Sequence, residues 1–225
     1  KQYEERPEQL EMADAVDRAL WDQHHLLAEA GTGVGKSFAY LVPAILFASE
    51  TDPELGRTRR VVVSTHTISL QEQLIGKDLP LLNSVIPREF TAVLVKGRGN
   101  YLCKKRMAKA ATRANTLFDY SDQVEQLAKI LRWSSETTDG SLSDLSFTPN
   151  GGVWDEVCSD GAACMGRKCG YYNDCFYQKA RRRAQHAQIL VVNHALFFSD
   201  MAVRGQGGNI LPHYDAVVFD EAHTV

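Results

Sequence analysis

Two short stretches carry residue types that could do chemistry together. Ala30-Gly31-Thr32-Gly33-Val34-Gly35-Lys36-Ser37 packs three glycines ahead of a lysine and a hydroxyl. Glycines let a turn fold its backbone N–H groups around an anion, and a helix starting at Lys36 adds its positive end. Lys36 can then reach the β- and γ-phosphates of a nucleotide, and Ser37 can ligate Mg²⁺. The usual eight-residue pattern opens with Gly, where this chain has Ala30. Far along the chain, Asp220-Glu221-Ala222-His223 follows an apolar run. Phosphoryl transfer needs an acid on the metal side and a group that activates water. Asp220 suits the metal and Glu221 the water, while His223 would link the site to whatever the domain moves. Each motif alone has a plain reading, a flexible turn or a polar strand end. Together on one sheet edge they read as a nucleotide site, with Lys36, Asp220 and Glu221 catalytic.

A third group is metal-like. Cys164-x₄-Cys169-x₅-Cys175 is compact, and Cys103 stands 61 positions before Cys164. Such clustering in a protein without a secretion signal argues for metal over disulfides. Zinc prefers two pairs at Cys-x₂₋₄-Cys spacing, which these intervals do not supply, whereas a [4Fe–4S] cluster accepts wider spacing with one distant ligand. Spacing therefore favours iron–sulfur, leaving zinc or no metal open. Cys158 is surplus, either a small buried hydrophobe or a substitute for Cys164.

The elements that position these groups alternate. Helical apolar spacing runs from Leu10 to Leu20, and a short apolar run, His25 to Ala28, reads as a strand before the glycine loop. A helix follows from Lys36 to about Ser49. Strands are expected over Arg60–Thr65, Thr91–Val95, Ile189–Asn193 and Ala216–Asp220, with a helix over Thr67–Leu82. Runs such as Val61-Val62-Val63 lack polar alternation, as strands covered on both faces do. The fold class is α/β, a parallel sheet with helices on both faces. The alternation stops between Leu102 and about Gln188, where helices, a polar stretch and all five cysteines lie. The expected division is residues 1–97, an inserted mainly helical module at 98–187, and a return to the first domain at 188–225.

Charge follows this division. The chain carries a net −3, yet residues 98–187 hold 14 Lys/Arg against 10 Asp/Glu, which leaves −7 for the remainder. A basic module in an acidic chain suggests nucleic acid. Its densest stretch, Lys179-Ala180-Arg181-Arg182-Arg183, could track phosphates, with Tyr171, Tyr172 and Phe176 as stacking surfaces or as a wrap for the cluster. No apolar run approaches a membrane span and no signal peptide opens the chain, so a cytoplasmic protein is expected. The chain starts at Lys1 and stops just past Glu221, as part of something longer would.

These motifs resemble those of the superfamily 2 helicases of the XPD-like branch, and of its DinG type in particular. The resemblance lies in Arg6-Pro7-Glu8-Gln9, the loop Ala30–Ser37, Val63-Ser64-Thr65-His66-Thr67, Val95-Lys96-Gly97-Arg98-Gly99-Asn100-Tyr101-Leu102-Cys103, Val192-Asn193-His194-Ala195-Leu196 and Asp220–His223. In that family the loop often begins with Ala. The resemblance implies a RecA-like domain interrupted by an iron–sulfur insertion, with Cys103, Cys164, Cys169 and Cys175 holding the [4Fe–4S] cluster. It implies that Gln9 contacts adenine, that Ala30, Gly31, Thr32, Gly33, Val34, Gly35, Lys36 and Ser37 cradle the phosphates, and that Ser37 and Asp220 hold Mg²⁺. Residues Ser64–Thr67 would touch the nucleic-acid backbone. ATP hydrolysis would drive 5′ to 3′ movement on single-stranded DNA and unwinding of forked or structured DNA, in bacterial DNA repair. A second RecA-like domain would complete the site. A monomer, a single-stranded-DNA-binding protein as partner and no membrane are the implied setting. Two other classes stay open: a phosphate-loop ATPase that ignores DNA, and a DNA-binding module with a vestigial nucleotide site, against which intact Lys36, Ser37, Asp220 and Glu221 argue.

Overall fold

Val61-Val62-Val63 and Ile189-Leu190-Val191-Val192 are branched, apolar side chains without alternation, and both runs are fully buried strands. In the computed structural model, which describes residues 6–31, 33–54, 56–118 and 120–225, they form the centre of a four-stranded parallel sheet. The first helix, α1 (Pro7–Trp21), starts with Pro at its first position, where a missing N–H costs nothing. After it come α2 (Lys36–Ser49), a small antiparallel pair of β1 (Thr51–Asp52) and β2 (Arg57–Thr58), and the central strand β3 (Val61–Thr65). Thr67 caps α3 (Ile68–Gln73), its side chain accepting from the Leu70 amide at 3.2 Å, which satisfies one of the orphan donors of a helix start. The expected single helix over 67–82 continues through a π-helical turn at Leu74–Asp78 into α4 (Leu79–Val85). Pro80 has no N–H for a carbonyl one turn back, and the hydrogen-bond register shifts just ahead of it.

Strand β4 (Ala92–Leu94) follows, and the chain then leaves the sheet. It returns as β5 (Ile189–Asn193), α10 (His194–Arg204) and β6 (Ala216–Phe219). The strand order is β4-β5-β3-β6, all parallel, with Val61 opposite both Ile189 and Ala216. Val61, Val63, Ile189 and Val191 face one side, against Leu41, Ala44, Ile45 and Ala48 of α2 and against Leu74, Leu79 and Leu82. Val62, Leu190 and Val192 face the other, against Ala184, Ala187, Leu196, Phe197 and Leu211. Cover on both faces is why the strands show no polar alternation.

The strand expected at His25–Ala28 does not form, and those residues have no regular structure. Leu27 is 93% exposed and Leu26 41%, so this stretch has no apolar cover. Among the described residues β6 pairs with β3 alone. An extended run without a partnered edge and a buried face gains too little to order as a strand.

The chain divides into two compact units, Lys1–Val95 with Ala184–Val225, and Lys96–Arg183. The second has its own core of Tyr101, Leu102, Leu127, Ile130, Trp154, Val157 and Phe176. Helices α5 (Lys104–Thr112), α6 (Ala114–Leu117), α7 (Ser121–Glu136), α8 (Gly151–Val157) and the larger part of α9 (Phe176–His186) surround it. The helical stretch Lys104–Leu117 is broken at Arg113, between α5 and α6. Tyr101 and Leu102 bridge Ser141 and Cys158, tying the start of the unit to its later segments. Gly140, at φ +65°, lies against the Phe176 ring where any Cβ would collide, a conformation and a closeness that only glycine supplies.

Candidate functional site

The glycine loop leads into α2 through Gly33 and Gly35, both at positive φ, which ordinary residues avoid. Helix α1 grips the loop by its backbone. Arg6 Nη1 donates to the Gly33 carbonyl at 2.6 Å and Gln9 Nε2 to the Gly35 carbonyl at 2.9 Å. A side chain at Gly35 would run into that Gln9 amide. Gln9, expected at adenine, is thus placed against the phosphate loop. No side chain caps the N-terminus of α2 and no acid sits in its first turn. An uncapped helix start with Lys36 leading is a seat for an anion. Ala30, Gly31 and Val34 lie in the loop before α2, Ser37 is the second residue of α2, and Thr32 lies outside the described residues.

Asp220 sits at the carboxyl end of the sheet beside β3. Its amide donates to the Ser64 carbonyl at 2.9 Å. Its carboxylate is buried and accepts twice, from the Tyr40 hydroxyl to Oδ2 at 2.7 Å and from the Glu221 amide to Oδ1 at 2.9 Å. Burial, and next the Asp220 charge, push the Tyr40 hydroxyl far above its ordinary range, so it remains a proton donor at any physiological pH. The Ser37 side chain is also within hydrogen-bonding influence of Tyr40, with the opposite effect on it. The phenol thus holds one of the two residues expected to bind Mg²⁺, Asp220. Glu221 adopts the left-handed conformation at φ 54°, a strained position for a side-chain-bearing residue. Its carboxylate lies 3.7 Å from Lys36 Nζ and 3.5 Å from His223 Nδ1. The structure thus gathers Lys36, Tyr40, Asp220 and Glu221 at one sheet edge.

Next to them, His194 Nδ1 and Ser64 Oγ lie 2.7 Å apart, both buried. The His194 Nε2 is buried without a hydrogen-bond partner among the described residues. Burial, and then His66, lower its basicity, so the ring is held neutral. Tyr40 went unread in the sequence as a site residue, and Ser64 and His194, each named there within a motif, were not read as a contacting pair. Tyr40 could have been found as the one polar-tipped side chain in the apolar run 38–48, a single turn beyond Lys36 and on its face.

In the other unit, Cys103, Cys164, Cys169 and Cys175 line one pocket, with Tyr171 and Tyr172 at its wall. Cys158 does not line it. Among the described residues no three His, Cys, Asp or Glu are drawn together tightly enough to grip a metal ion. The thiols differ in character. The Gly166 amide, and next the Arg98 guanidinium, hold Cys164 below the ordinary thiol range. Burial pushes Cys158 above it, against the pull of Arg106. Four thiols on one pocket, one of them already thiolate-favouring, is a donor set that fits an iron–sulfur cluster. Of the residues read as stacking surfaces, Phe176 is in the core at 3% exposure, out of reach of a base, while Tyr171 is 44% exposed.

No family model matches the chain. Among curated proteins it is 37% identical to an ATP-dependent DNA helicase YoaA of Haemophilus influenzae, over 99% of the chain and 33% of that protein. It is 36% identical to an ATP-dependent helicase DinG of Mycobacterium tuberculosis, over 96% of the chain and 33% of that protein. A Bacillus subtilis protein named 3′-5′ exonuclease DinG is 32% identical over 98% of the chain and 22% of its own length. The chain therefore spans about a third or less of the length of these curated relatives. Among the described residues no helix is long and apolar enough to cross a membrane. By sequence, these 225 residues are homologous to a stretch of the DinG- and YoaA-type ATP-dependent helicases.

Proposed function

We propose that the chain is the first, RecA-like motor domain of an ATP-dependent DNA helicase, with an iron–sulfur module inserted at 98–187. The observation that carries this is the approach of Lys36 and Glu221 at 3.7 Å, which brings the phosphate loop and the acidic motif to one sheet edge. DNA as the substrate is supported by the name of the Haemophilus influenzae relative, an ATP-dependent DNA helicase.

In this reading the amides at the start of α2 and Lys36 bind the β- and γ-phosphates, and Gln9 orients the loop. Ser37 and Asp220 would hold Mg²⁺, which neutralises phosphate charge when bound. Tyr40 fixes the Asp220 carboxylate, and Glu221 takes the proton of the attacking water. Arginines from a second RecA-like domain complete the site. Cys103, Cys164, Cys169 and Cys175 would hold a [4Fe–4S] cluster, which braces the segments that carry them. Movement runs 5′ to 3′ on single-stranded DNA toward forks and structured DNA in repair, by a cytoplasmic monomer that meets single-stranded-DNA-binding protein.

Lys36→Ala and Glu221→Gln in the full-length protein test the motor. Both abolish DNA-stimulated ATP hydrolysis while single-stranded DNA binding persists; unchanged hydrolysis in either refutes the assignment. The 225 residues alone should bind nucleotide weakly and hydrolyse it slowly, and robust DNA-stimulated turnover by them overturns the two-domain site. Anaerobically purified protein should be brown and carry about four irons per chain. A colourless protein with one zinc sinks the cluster.

A further inference from the structure

The carboxyl ends of β3, β5 and β6 meet at one buried hydrogen bond. Ser64 pairs in register with Val192 on β5 and with Phe219 on β6, the last position at which β3 has both neighbours. Its carbonyl accepts from the Asp220 amide at 2.9 Å, and its Oγ lies 2.7 Å from His194 Nδ1. One serine thus holds the residue before Glu221 by its main chain and His194 by its side chain.

Ser64 and Thr65 are buried, whereas His66 and Thr67 are exposed. Of the side chains at 64–67 expected at a nucleic-acid backbone, only those of His66 and Thr67 are open to it. The His66 ring lies 6.1 Å from the ring of His194, which in turn lies 6.0 Å from the ring of Phe219. Three rings run from the exposed segment to the residue before Asp220, with His194 in the middle.

The middle ring is held in place. His194 opens α10, whose start is capped by Asn193 Oδ1 accepting from the Leu196 amide at 2.7 Å. It is 8% exposed, and its Nε2 is buried with no partner among the described residues. A buried nitrogen without a hydrogen bond is costly, and an apolar ring would fill the same space without that cost. Packing therefore does not account for an imidazole here, and departures of this kind concentrate at functional sites.

We infer that His194 is a positioning residue that couples DNA to ATP hydrolysis: its hydrogen bond to Ser64 ties the segment carrying His66 and Thr67 to the turn carrying Asp220 and Glu221, so that a phosphate backbone held at the first resets the second. This rests on the proposed reading of the chain as a DNA-dependent motor. His194 acts through Ser64 and not by contact with either ligand. Coupling needs an element with two arrangements. Glu221, at φ 54°, is held away from the right-handed and extended regions that a glutamate prefers, and so has another conformation to move to.

The test is ATP hydrolysis by the full-length protein with and without saturating oligo-dT, read as the ratio of the two rates. Loss of folded protein lowers both rates alike and leaves the ratio, and saturation removes any change in DNA affinity. Ser64→Ala and His194→Phe, the second of which keeps a ring between His66 and Phe219, should each lower the ratio about fivefold or more, the scale of a coupling between two sites. The double variant should fall no further than the lower of the two, since both remove one hydrogen bond. His194→Asn, whose amide reaches Ser64 from the Nδ1 position, should keep most of the ratio. If His194→Phe fails to fold, Ser64→Ala, which removes one oxygen, carries the test alone. A wild-type ratio in folded Ser64→Ala or His194→Phe overturns the inference, as does a double variant whose loss is the product of the single losses, or a loss in His194→Asn equal to that in His194→Phe. A wild-type protein whose hydrolysis oligo-dT does not stimulate refutes the motor reading itself, and the coupling with it.

Discussion

Replacing Tyr40 by Phe removes one oxygen and little else. The ring stays in its buried place on α2, at 2% exposure, so no cavity opens and the transfer free energy of the ring is kept. What disappears is the 2.7 Å hydrogen bond to Asp220 Oδ2, leaving a buried carboxylate oxygen to its remaining support, the Glu221 amide on Oδ1. A hydrogen bond to a charged group contributes about 1.5–3 kcal/mol, and Asp220 is too enclosed for water to substitute. The expected loss is about 2 kcal/mol, roughly a thirtyfold shift in the unfolding equilibrium and about 4–8 °C in thermal midpoint for a chain of this size. Urea denaturation measures it, and a double-mutant cycle isolates its origin. In an Asp220→Ala background the acceptor is gone and the hydroxyl can turn to Ser37. Tyr40→Phe should then cost less, about 0.5 kcal/mol at most. A cost that is equal in both backgrounds refutes the argument, since the phenol would be acting through something other than Asp220.

Two further perturbations reach other parts of the same unit. His194 is held neutral when folded, whereas unfolded it takes a proton near pH ~6.5. The unfolded state therefore binds more protons below that pH, and stability should fall as pH drops from about 6.5, a slope that His194→Asn should flatten in pH-dependent denaturation. Asp200, fully buried, receives Arg204 at 2.6 Å and the Ile210 and Leu211 amides at 2.7 and 2.8 Å. Asp200→Ala strands those donors and should cost about 3–5 kcal/mol by urea titration, against about 1 kcal/mol or less for the exposed i,i+4 partner change Lys129→Ala.

The strands were readable because burial on two faces leaves a one-dimensional mark. Val61-Val62-Val63 and Ile189-Leu190-Val191-Val192 need no knowledge of their neighbours to declare themselves. His25–Ala28 has the same apolar look but gains nothing from it, since a strand is stabilised by a partnered edge that local sequence does not report. The π-helical turn is similar, for Pro80 marks a missing donor but not how the preceding turn rearranges. At the site, Lys36, Asp220 and Glu221 were legible because their chemistry constrains residue type and spacing. Tyr40 and the pairing of His194 with Ser64 were not, because they come from contacts across 180 and 130 positions of chain. Phe176 shows the opposite failure: an aromatic beside cysteines looks like a stacking surface until packing puts it in the core.

The grip of α1 on the glycine loop has a geometric consequence. A peptide unit is planar, with its carbonyl and its N–H on opposite edges. Arg6 draws out the carbonyl of the unit joining Gly33 to Val34, and Gln9 that of the unit joining Gly35 to Lys36. Each pull rotates a plane, and the N–H of Val34 and that of Lys36 must swing the other way. Two side chains at the start of α1 thereby turn the Val34 and Lys36 amides toward the opposite side of the loop, whose polarity is set from behind, by a helix that precedes it in the chain.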